Sequence, residues 1–190
     1  MTNFPSITSK LTEAIKKRVI RLRYYQSQVK EGVYQHWNAG PCNVMAVMPT
    51  GAGKTVLFTD ILSEHVGAAV AIAHRQELVA QISLTLNTFG IRHRLICPPA
   101  VRKLIIARHL REHKVTFHDA GAMIGVGGVD TIVRMGNKPE LDTWRRSVTL
   151  GVQDEAHHVL AENKWGKATL EFPACKKWLF VTATPERPDG

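Results

Sequence analysis

Six apolar runs of strand length recur along the chain, and segments with helical periodicity separate them. The runs are NVMAVM (43–48), AAVAIA (68–73), HRLIC (93–97), AMIGVG (122–127), VTLGVQ (148–153) and KWLFVTA (177–183). Between the first two runs, KTVLFTDILSEHV places apolar residues three and four positions apart, as an amphipathic helix does. Strands that are apolar on both faces and alternate with helices predict an α/β fold, with a mostly parallel sheet covered by helices on both faces.

Length and composition indicate one globular domain without a membrane partner. The chain has 190 residues, of which 44% are hydrophobic and 22% charged. It contains no apolar stretch of the roughly 18 residues that a membrane span needs, and its N-terminus lacks the order of a secretory signal. We therefore predict a cytoplasmic or nucleoid-associated location. The cysteines Cys42, Cys97 and Cys175 are far apart and odd in number, which predicts free thiols.

The positive charge of the chain favours a polyanionic partner such as nucleic acid. The formal net charge is +9, and positive potential attracts nucleic acid whether or not bases are read. Basic residues concentrate in residues 10–23 and 101–114. We assign residues 1–21 to a basic N-terminal segment. In the second stretch we predict a surface helix that turns Leu104, Ile105 and Leu110 toward the sheet.

The residues after the first apolar run have the composition of a phosphate-binding loop. Ligands of parallel sheets bind beyond the carboxyl ends of the strands, and here PTGAGKT (49–55) follows the run. Glycines let backbone N–H groups point inward, and the start of the next helix adds its positive dipole end. Lys54 would reach the β- and γ-phosphates, and the Thr55 hydroxyl would ligate Mg²⁺. Met48 occupies the position at which the strict pattern has glycine.

Polar residues also follow the fifth and sixth runs. DEAHH (154–158) begins with two adjacent carboxylates, which are costly at a buried strand end unless a cation is present. Asp154 would hold Mg²⁺ and Glu155 would activate the attacking water. TATPERPDG (182–190) supplies hydroxyls that could bond His157. Gln153 is unusual, because an apolar residue would better complete a buried strand.

Together these three segments resemble motifs I, II and III of superfamily 2 helicases and translocases, and the DEAH-containing DNA branch most of all. The resemblance implies a RecA-like P-loop NTPase domain over residues 22–190, with ATP and Mg²⁺ as cofactors. The residues that it implies for the ATP site are Gly51, Ala52, Gly53, Lys54, Thr55, Asp154, Glu155 and His157. It implies that Thr182 and Thr184 couple the state of the phosphate to the rest of the domain.

Three further stretches extend the resemblance. LRYYQ (22–26) is similar to the family segment whose glutamine reads adenine, which implies this role for Gln26. AHRQELVAQ (73–81) is similar to motif Ia, which implies nucleic-acid contacts at Arg75 and Gln76. VGGVDTIVR (126–134) resembles another family segment and implies a contact at Thr131.

Members of this family use two RecA-like domains with ATP in the cleft between them. The chain stops at Gly190, directly after motif III, so we predict that the second domain is absent from it and is supplied in cis or in trans. We expect the 190 residues alone to bind nucleotide, to hydrolyse it slowly and not to unwind a duplex. DNA, single-stranded or duplex, is the preferred partner over RNA.

Two other functions fit parts of the sequence. A P-loop kinase of small molecules would use the same phosphate loop but would transfer phosphate to an acceptor. A non-catalytic RecA-like module would retain the motifs for nucleotide binding or protein interaction alone. Nucleic-acid-stimulated hydrolysis in the presence of a second domain distinguishes the motor from both.

Overall fold

The computed structural model describes residues 19–134, 139–156 and 164–183, which form one sheet between two layers of helices. The elements follow in the order α1 (Tyr24–Ala39), β1 (Asn43–Val47), α2 (Lys54–Glu64), β2 (Ala68–Ala73), α3 (Gln76–Thr88), β3 (His93–Ile96), α4 (Pro99–His113), β4 (Ile124–Gly128), α5 (Val129–Val133), α6 (Pro139–Ser147), β5 (Val148–Asp154), α7 (Lys164–Leu170) and β6 (Lys177–Thr182).

The sheet has six strands in the order β1-β6-β5-β2-β4-β3, and every pairing is parallel. This confirms the predicted fold class, and each predicted strand lies within two residues of its observed bounds. β2 is buried along its whole length because it lies inside the sheet and is covered on both faces. A continuous apolar run was therefore the correct signal for this strand.

Each face of the sheet has its own hydrophobic core. One core is formed with helices α1, α2, α3 and α4, and Leu57, Phe58 and Ile61 of α2 are completely buried in it. The other lies under α5, α6 and α7 and contains the rings of Trp144 and Trp178. These rings lie so close to Gly125 and Gly151 that a Cβ at either glycine would overlap them. The two glycines therefore allow the indoles to pack directly on the strands.

Helix α4 differs from its prediction. Ile105 is buried as expected, but Leu104 is 71% exposed and Leu110 is 46% exposed. His109 occupies the inward position instead and is completely buried. Hydrophobicity alone assigned the wrong inner face because a hydrogen-bonded histidine packs there, a contact that apolar spacing does not encode.

The remaining fold predictions concern thiols and membranes. None of the three cysteines, all within the described residues, forms a disulfide, as predicted. Among the described residues, no helix combines the length and the apolar character needed to cross a bilayer.

Candidate functional site

The strand order brings the three sequence-predicted segments to one edge of the sheet. β1, β6 and β5 are neighbours, and Val47 pairs with Thr182 while Asp154 pairs with Val181. The end of β1 is thus about 10 Å from the end of β5, or two strand spacings. The backbone N–H of Met48 donates to the Thr182 carbonyl at 2.9 Å, which ties the loop after β1 to the end of β6.

The loop after β1 has the backbone of an anion cradle. Gly51 and Gly53 have φ angles of 80° and 77°, in the left-handed region that favours glycine. Gly53 is the N-cap of α2 and no side chain caps the helix. Within the described part of the chain, the N–H groups of Gly53, Lys54 and Thr55 have no acceptor. An uncapped helix start of this kind offers several donors and a positive dipole end to an anion.

The N-terminus of α1 holds this loop from the other side. Gln26 is 2% exposed, and its Nε2 donates to the carbonyls of Ala52 at 2.9 Å and Gly53 at 3.2 Å. Its Oε1 accepts from the backbone N–H of Arg23 at 2.8 Å. Tyr25 adds a hydroxyl that donates to the Ala52 carbonyl at 3.0 Å. We call these contacts of Gln26 and Tyr25 with the Ala52 and Gly53 carbonyls the clasp. The sequence did not predict it, because residues 26 positions apart meet only after the sheet has formed.

The clasp also explains why glycine is needed at position 53. A Cβ there would lie 2.5 Å from Nε2 of Gln26, whereas a Cβ at Gly51 would meet nothing within 4 Å. Gly53 is therefore constrained both by its φ angle and by the packed amide. Gly51 is constrained by its φ angle alone.

The only lysine of the loop points back over it. Nζ of Lys54 lies 3.4 Å from the carbonyl oxygen of Met48, a long contact for a hydrogen bond. Such a contact is readily exchanged for a stronger acceptor. The ammonium group is also close enough to Asp154 to lower the pKa of that carboxyl, which links the loop after β1 to the end of β5.

The end of β5 carries a buried carboxylate. Asp154 is 6% exposed, and its pKa is raised by burial and by the neighbouring charge of Glu155, although its hydrogen bond and Lys54 act in the opposite direction. Oδ1 of Asp154 accepts from the backbone N–H of Glu155 at 3.0 Å. Glu155 has a φ of 55°, in the left-handed region that is uncommon for any residue except glycine. Backbone strain of this kind concentrates at functional sites.

Gln153 is a polar residue at the end of a buried strand, as the sequence indicated. Its side chain is completely buried between Ile72 of β2 and Phe180 of β6, its partners in the strand register. Neither its amide oxygen nor its amide nitrogen has a hydrogen-bond partner in the described part of the chain. A buried amide without partners costs on the order of 1–3 kcal/mol for each unsatisfied group. Positions 153 to 155 therefore combine an unsatisfied amide, a buried carboxylate and a left-handed residue.

The structure describes the remaining predicted residues only in part. Thr182 ends β6 and is completely buried. His157 and Thr184 lie outside the described residues, so their coupling to Thr182 stays a prediction.

The residues predicted to contact nucleic acid lie at the same carboxyl edge of the sheet, next to the end of β5. Arg75 is the exposed N-cap of α3, directly after β2, and Gln76 is the exposed first residue of that helix. Thr131 is half-buried in α5, directly after β4. β2 and β4 are neighbours, and Ala73 pairs with Gly128. The carboxyl edge thus has two halves, one at β1, β6 and β5 and the other at β2 and β4.

Metal ligands are few at this site. No group of three or more histidine, cysteine, aspartate or glutamate side chains forms a metal-binding cluster among the described residues. Asp154 and Glu155 are the acidic residues at the end of β5. Mg²⁺ usually binds one or two protein carboxylates together with substrate phosphates and water, and so a sparse acidic set suits it.

Comparison with known families identifies the domain. Residues 19–187 match the profile of the family described as type III restriction enzyme, res subunit. The chain belongs to this family. The match covers most of the chain and includes the glycine loop (49–55), the DEAHH segment (154–158) and Arg75 at the start of α3. It confirms the predicted N-terminal RecA-like domain of a superfamily 2 helicase, which is the ATP-binding half of such a protein. No curated protein matches the chain significantly.

Solved helicase structures share the fold of this res-subunit domain. The Hef helicase domain of Pyrococcus furiosus is 22% identical, with a TM-score of 0.64 over 92% of this chain and 35% of its own. The UvsW helicase of bacteriophage T4 is 14% identical, with a TM-score of 0.59 over 93% of this chain and 60% of its own. The type ISP restriction-modification enzyme LlaGI, solved with a DNA substrate mimic, is 17% identical, with a TM-score of 0.62 over 87% of this chain and 18% of its own. The chain therefore spans between about a fifth and three fifths of the length of these proteins.

Proposed function

We propose that this res-subunit domain binds and hydrolyses Mg-ATP as one half of a DEAH-type, DNA-dependent motor. A second RecA-like domain completes the motor. The observation that carries the proposal is that an uncapped glycine loop and an acidic pair, of which Asp154 is buried, lie at the ends of β1 and β5, two strand spacings apart on one edge of the sheet. The proposed nucleic-acid partner and the net charge of +9 suit a cytoplasmic or nucleoid-associated location.

The glycine loop supplies the phosphate contacts. The free N–H groups of Gly53, Lys54 and Thr55 provide donors at the positive end of α2. Gly51 and Ala52 form the part of the loop just before these donors, where Gly51 has a left-handed backbone and the Ala52 carbonyl is held by Gln26. Nζ of Lys54 would exchange its long contact with Met48 for the outer phosphates, since a charged acceptor bonds more strongly than a carbonyl.

The acidic pair supplies the metal contact and the base. Thr55 and Asp154 would hold Mg²⁺, which neutralises charge on the phosphates during transfer. A cation beside Asp154 would also remove the energetic cost of its burial, since an opposite charge favours the carboxylate form. Glu155 would orient the attacking water and accept its proton. We assign His157, Thr182 and Thr184 to the relay between phosphate and sheet.

Gln26 has two tasks in this proposal. Both N–H groups of its amide hold the glycine loop, and its Oε1 retains one acceptor site beyond the bond from Arg23. Reading of adenine would therefore use this oxygen, or would require the amide to leave the loop. In either case the base and the phosphate loop are connected through one side chain.

The adjoining half of the edge would hold the nucleic acid. Arg75, Gln76 and Thr131 lie beyond the ends of β2 and β4, next to the ATP half. An exposed arginine at the start of α3 suits a backbone phosphate. DNA is favoured over RNA by the family match and by the DNA substrate mimic named for LlaGI.

We expect Glu155→Gln to lower the rate of ATP hydrolysis by about 10²–10⁴-fold, the usual contribution of a general base. The amide keeps the shape of the side chain and leaves the phosphate contacts intact, so the affinity for Mg-ATP should change little. The measurement is release of ADP and of inorganic phosphate by the full chain with Mg²⁺ and single-stranded DNA. Glu31→Gln, at an exposed position of α1, is the matched control.

The products distinguish the three functions. Equal release of ADP and inorganic phosphate, lost in Glu155→Gln and kept in Glu31→Gln, supports hydrolysis. ADP release without inorganic phosphate would indicate transfer to an acceptor and a kinase. Mg-ATP binding with the same basal rate in all three proteins would indicate a non-catalytic module.

A further inference from the structure

A cavity with two arginines lies along β3, the outermost strand on the side of the sheet opposite to β1 and its glycine loop. β3 is the edge strand, with β4 as its neighbour in the sheet. At His93 the outer side of β3 is covered by another segment. The backbone N–H of His93 donates to the Phe117 carbonyl at 3.1 Å, and the His93 carbonyl accepts from the backbone N–H of Asp119 at 2.9 Å. Farther along the strand a cavity of about 250 Å³ opens. Its wall includes Arg94, Cys97, Arg102, His118 and Glu140.

Arg94 is a buried guanidinium without a carboxylate partner in the described residues. It is 8% exposed, and its group lies 4.7 Å from the centre of the Trp144 ring. Nε donates to the Ala122 carbonyl at 2.6 Å. The terminal nitrogens have no hydrogen-bond acceptor in the described part of the chain. Burial lowers the pKa of Arg94 and the charge of Asp119 opposes this, but no carboxylate of the described residues bonds the terminal nitrogens, so these donors remain available to an anion.

Arg102 brings a second guanidinium to the same cavity from helix α4. Its Nε is buried and has no acceptor among the residues that the structure describes. Its Nη2 reaches only the Cys97 carbonyl, at 3.5 Å. The cavity therefore contains unused donors from two elements, the edge strand β3 and the helix α4 that follows it.

The nearby carboxylates neutralise these arginines only in part, since Asp119 acts on Arg94 through its charge but forms no ion pair with it. Asp119 is bound to Arg92 and to the backbone N–H of Gly121. Glu140 lines the cavity but is exposed, and it forms no ion pair in the described residues. Nδ1 of His118 lies 3.3 Å from the His93 carbonyl, and burial lowers the pKa of this imidazole. The cavity thus has a surplus of positive charge.

We propose that this cavity binds a phosphate group, with Arg94 and Arg102 as its donors. Guanidinium forks form paired hydrogen bonds with phosphate oxygens, and two forks match the two charges of a phosphate. The group can come from a nucleic-acid strand or from a free phosphate. Arg102 comes after the carboxyl end of β3, and Arg75 and Thr131 come after the carboxyl ends of β2 and β4, so all three residues lie on the same side of the sheet. A strand bound there could extend into the cavity.

The test is performed in the Lys54→Ala background, so that phosphate at the glycine loop does not contribute. Inorganic phosphate is titrated at constant ionic strength, and binding is followed by calorimetry and by the melting temperature. We expect Arg102→Met to weaken phosphate binding about tenfold, the loss of one charge-assisted contact. Arg111→Met is the control on the same helix, since the Arg111 side chain is 76% exposed. Arg94→Met should abolish binding, but its burial also puts folding at risk.

Glu140→Gln provides a variant with the opposite expected effect. Removal of the carboxylate from the wall should tighten phosphate binding several-fold without lowering the melting temperature. If Glu140 is instead the natural partner of the arginines, this variant melts lower and phosphate has no specific effect, which would overturn the proposal. Phosphate binding that is equal in Arg102→Met and Arg111→Met would indicate an adventitious ion only.

An oligonucleotide distinguishes the two sources of the phosphate. A single-stranded oligonucleotide is titrated into the same Arg102→Met and Arg111→Met proteins. A selective loss of affinity in Arg102→Met identifies the ligand as a strand phosphate. Loss of inorganic phosphate binding alone identifies a small phosphate compound. No selective effect on either ligand contradicts the site. This test does not require ATP hydrolysis, so it can fail or succeed independently of the proposed motor function.

Discussion

Lys54→Ala should lower the affinity for Mg-ATP by about 10- to 100-fold, since a hydrogen bond to a charged group contributes about 1.5–3 kcal/mol. The ammonium group is the only side-chain cation of the glycine loop, and its one hydrogen bond to a described residue is the long contact to Met48. Alanine is a good helix former, so the first turn of α2 should persist. Calorimetric titration of Mg-ATP into both proteins measures the change.

The matched control for this substitution is Lys103→Ala. Lys103 is exposed on α4, far along the chain from the glycine loop. The Lys103→Ala protein should bind Mg-ATP as tightly as the unsubstituted protein, which would exclude a general effect of net charge. Equal affinity in Lys54→Ala and Lys103→Ala would contradict the assignment of the loop as the phosphate site.

The second large effect concerns stability in mild acid. His93 and His109 are completely buried, and burial lowers the pKa of each to about 4. Ser83 joins them, with its Oγ 2.7 Å from Nε2 of His93 and 3.1 Å from Nε2 of His109. Nδ1 of His93 donates to the Ile91 carbonyl at 2.8 Å, which makes Nε2 an acceptor for the serine. An added proton on His93 would place a charge in this buried site and would require the Ser83 hydroxyl to accept from Nε2 instead of donating to it.

The direction of the pH effect follows from these lowered pKa values. Between about pH 6.5 and pH 4 the unfolded chain binds protons at both histidines and the folded chain does not, so stability falls as the pH falls. We expect the free energy of unfolding to drop by about 3–4 kcal/mol between pH 7.5 and pH 5.0. This is a large part of the roughly 5–15 kcal/mol that stabilises a typical domain.

Urea denaturation at the two pH values measures this drop. The double variant His93→Gln/His109→Gln should show a much smaller difference between pH 7.5 and pH 5.0, whatever its stability at neutral pH. His36→Gln, at an exposed position of α1, should retain the full difference. A double variant that loses as much stability in acid as the unsubstituted protein would show that other groups cause the effect.

The strands and the candidate site were predictable because both depend on local sequence. A run that is apolar on both faces identifies an inner strand, and the residues after it lie at the ligand-binding edge. This rule alone predicts that Lys54, Asp154 and Thr182 lie at one edge of the sheet. The polar residue at the end of a buried run also identified Gln153 as anomalous, and its buried amide without partners confirms this.

The contacts that the sequence did not reveal join distant segments. The clasp of Gln26 on the glycine loop, the Ser83 chain between two histidines and the stacking of Arg94 on Trp144 all join different elements. Periodicity reports which way a residue faces, but it does not report which residue lies opposite. The same limit explains the wrong inner face of α4, where His109 is buried and Leu104 is exposed.

The central claim is that this domain is a motor half whose ATP and nucleic-acid sites lie side by side. The most direct test is calorimetric titration of Mg-ATP into the full chain, with and without saturating single-stranded DNA, and of DNA with and without Mg-ATP. We predict that each ligand changes the affinity for the other by the same factor, on the order of 5- to 150-fold, as linkage requires for coupled sites. Mg-ATP binding that DNA leaves unchanged, or no Mg-ATP binding under either condition, would contradict the claim.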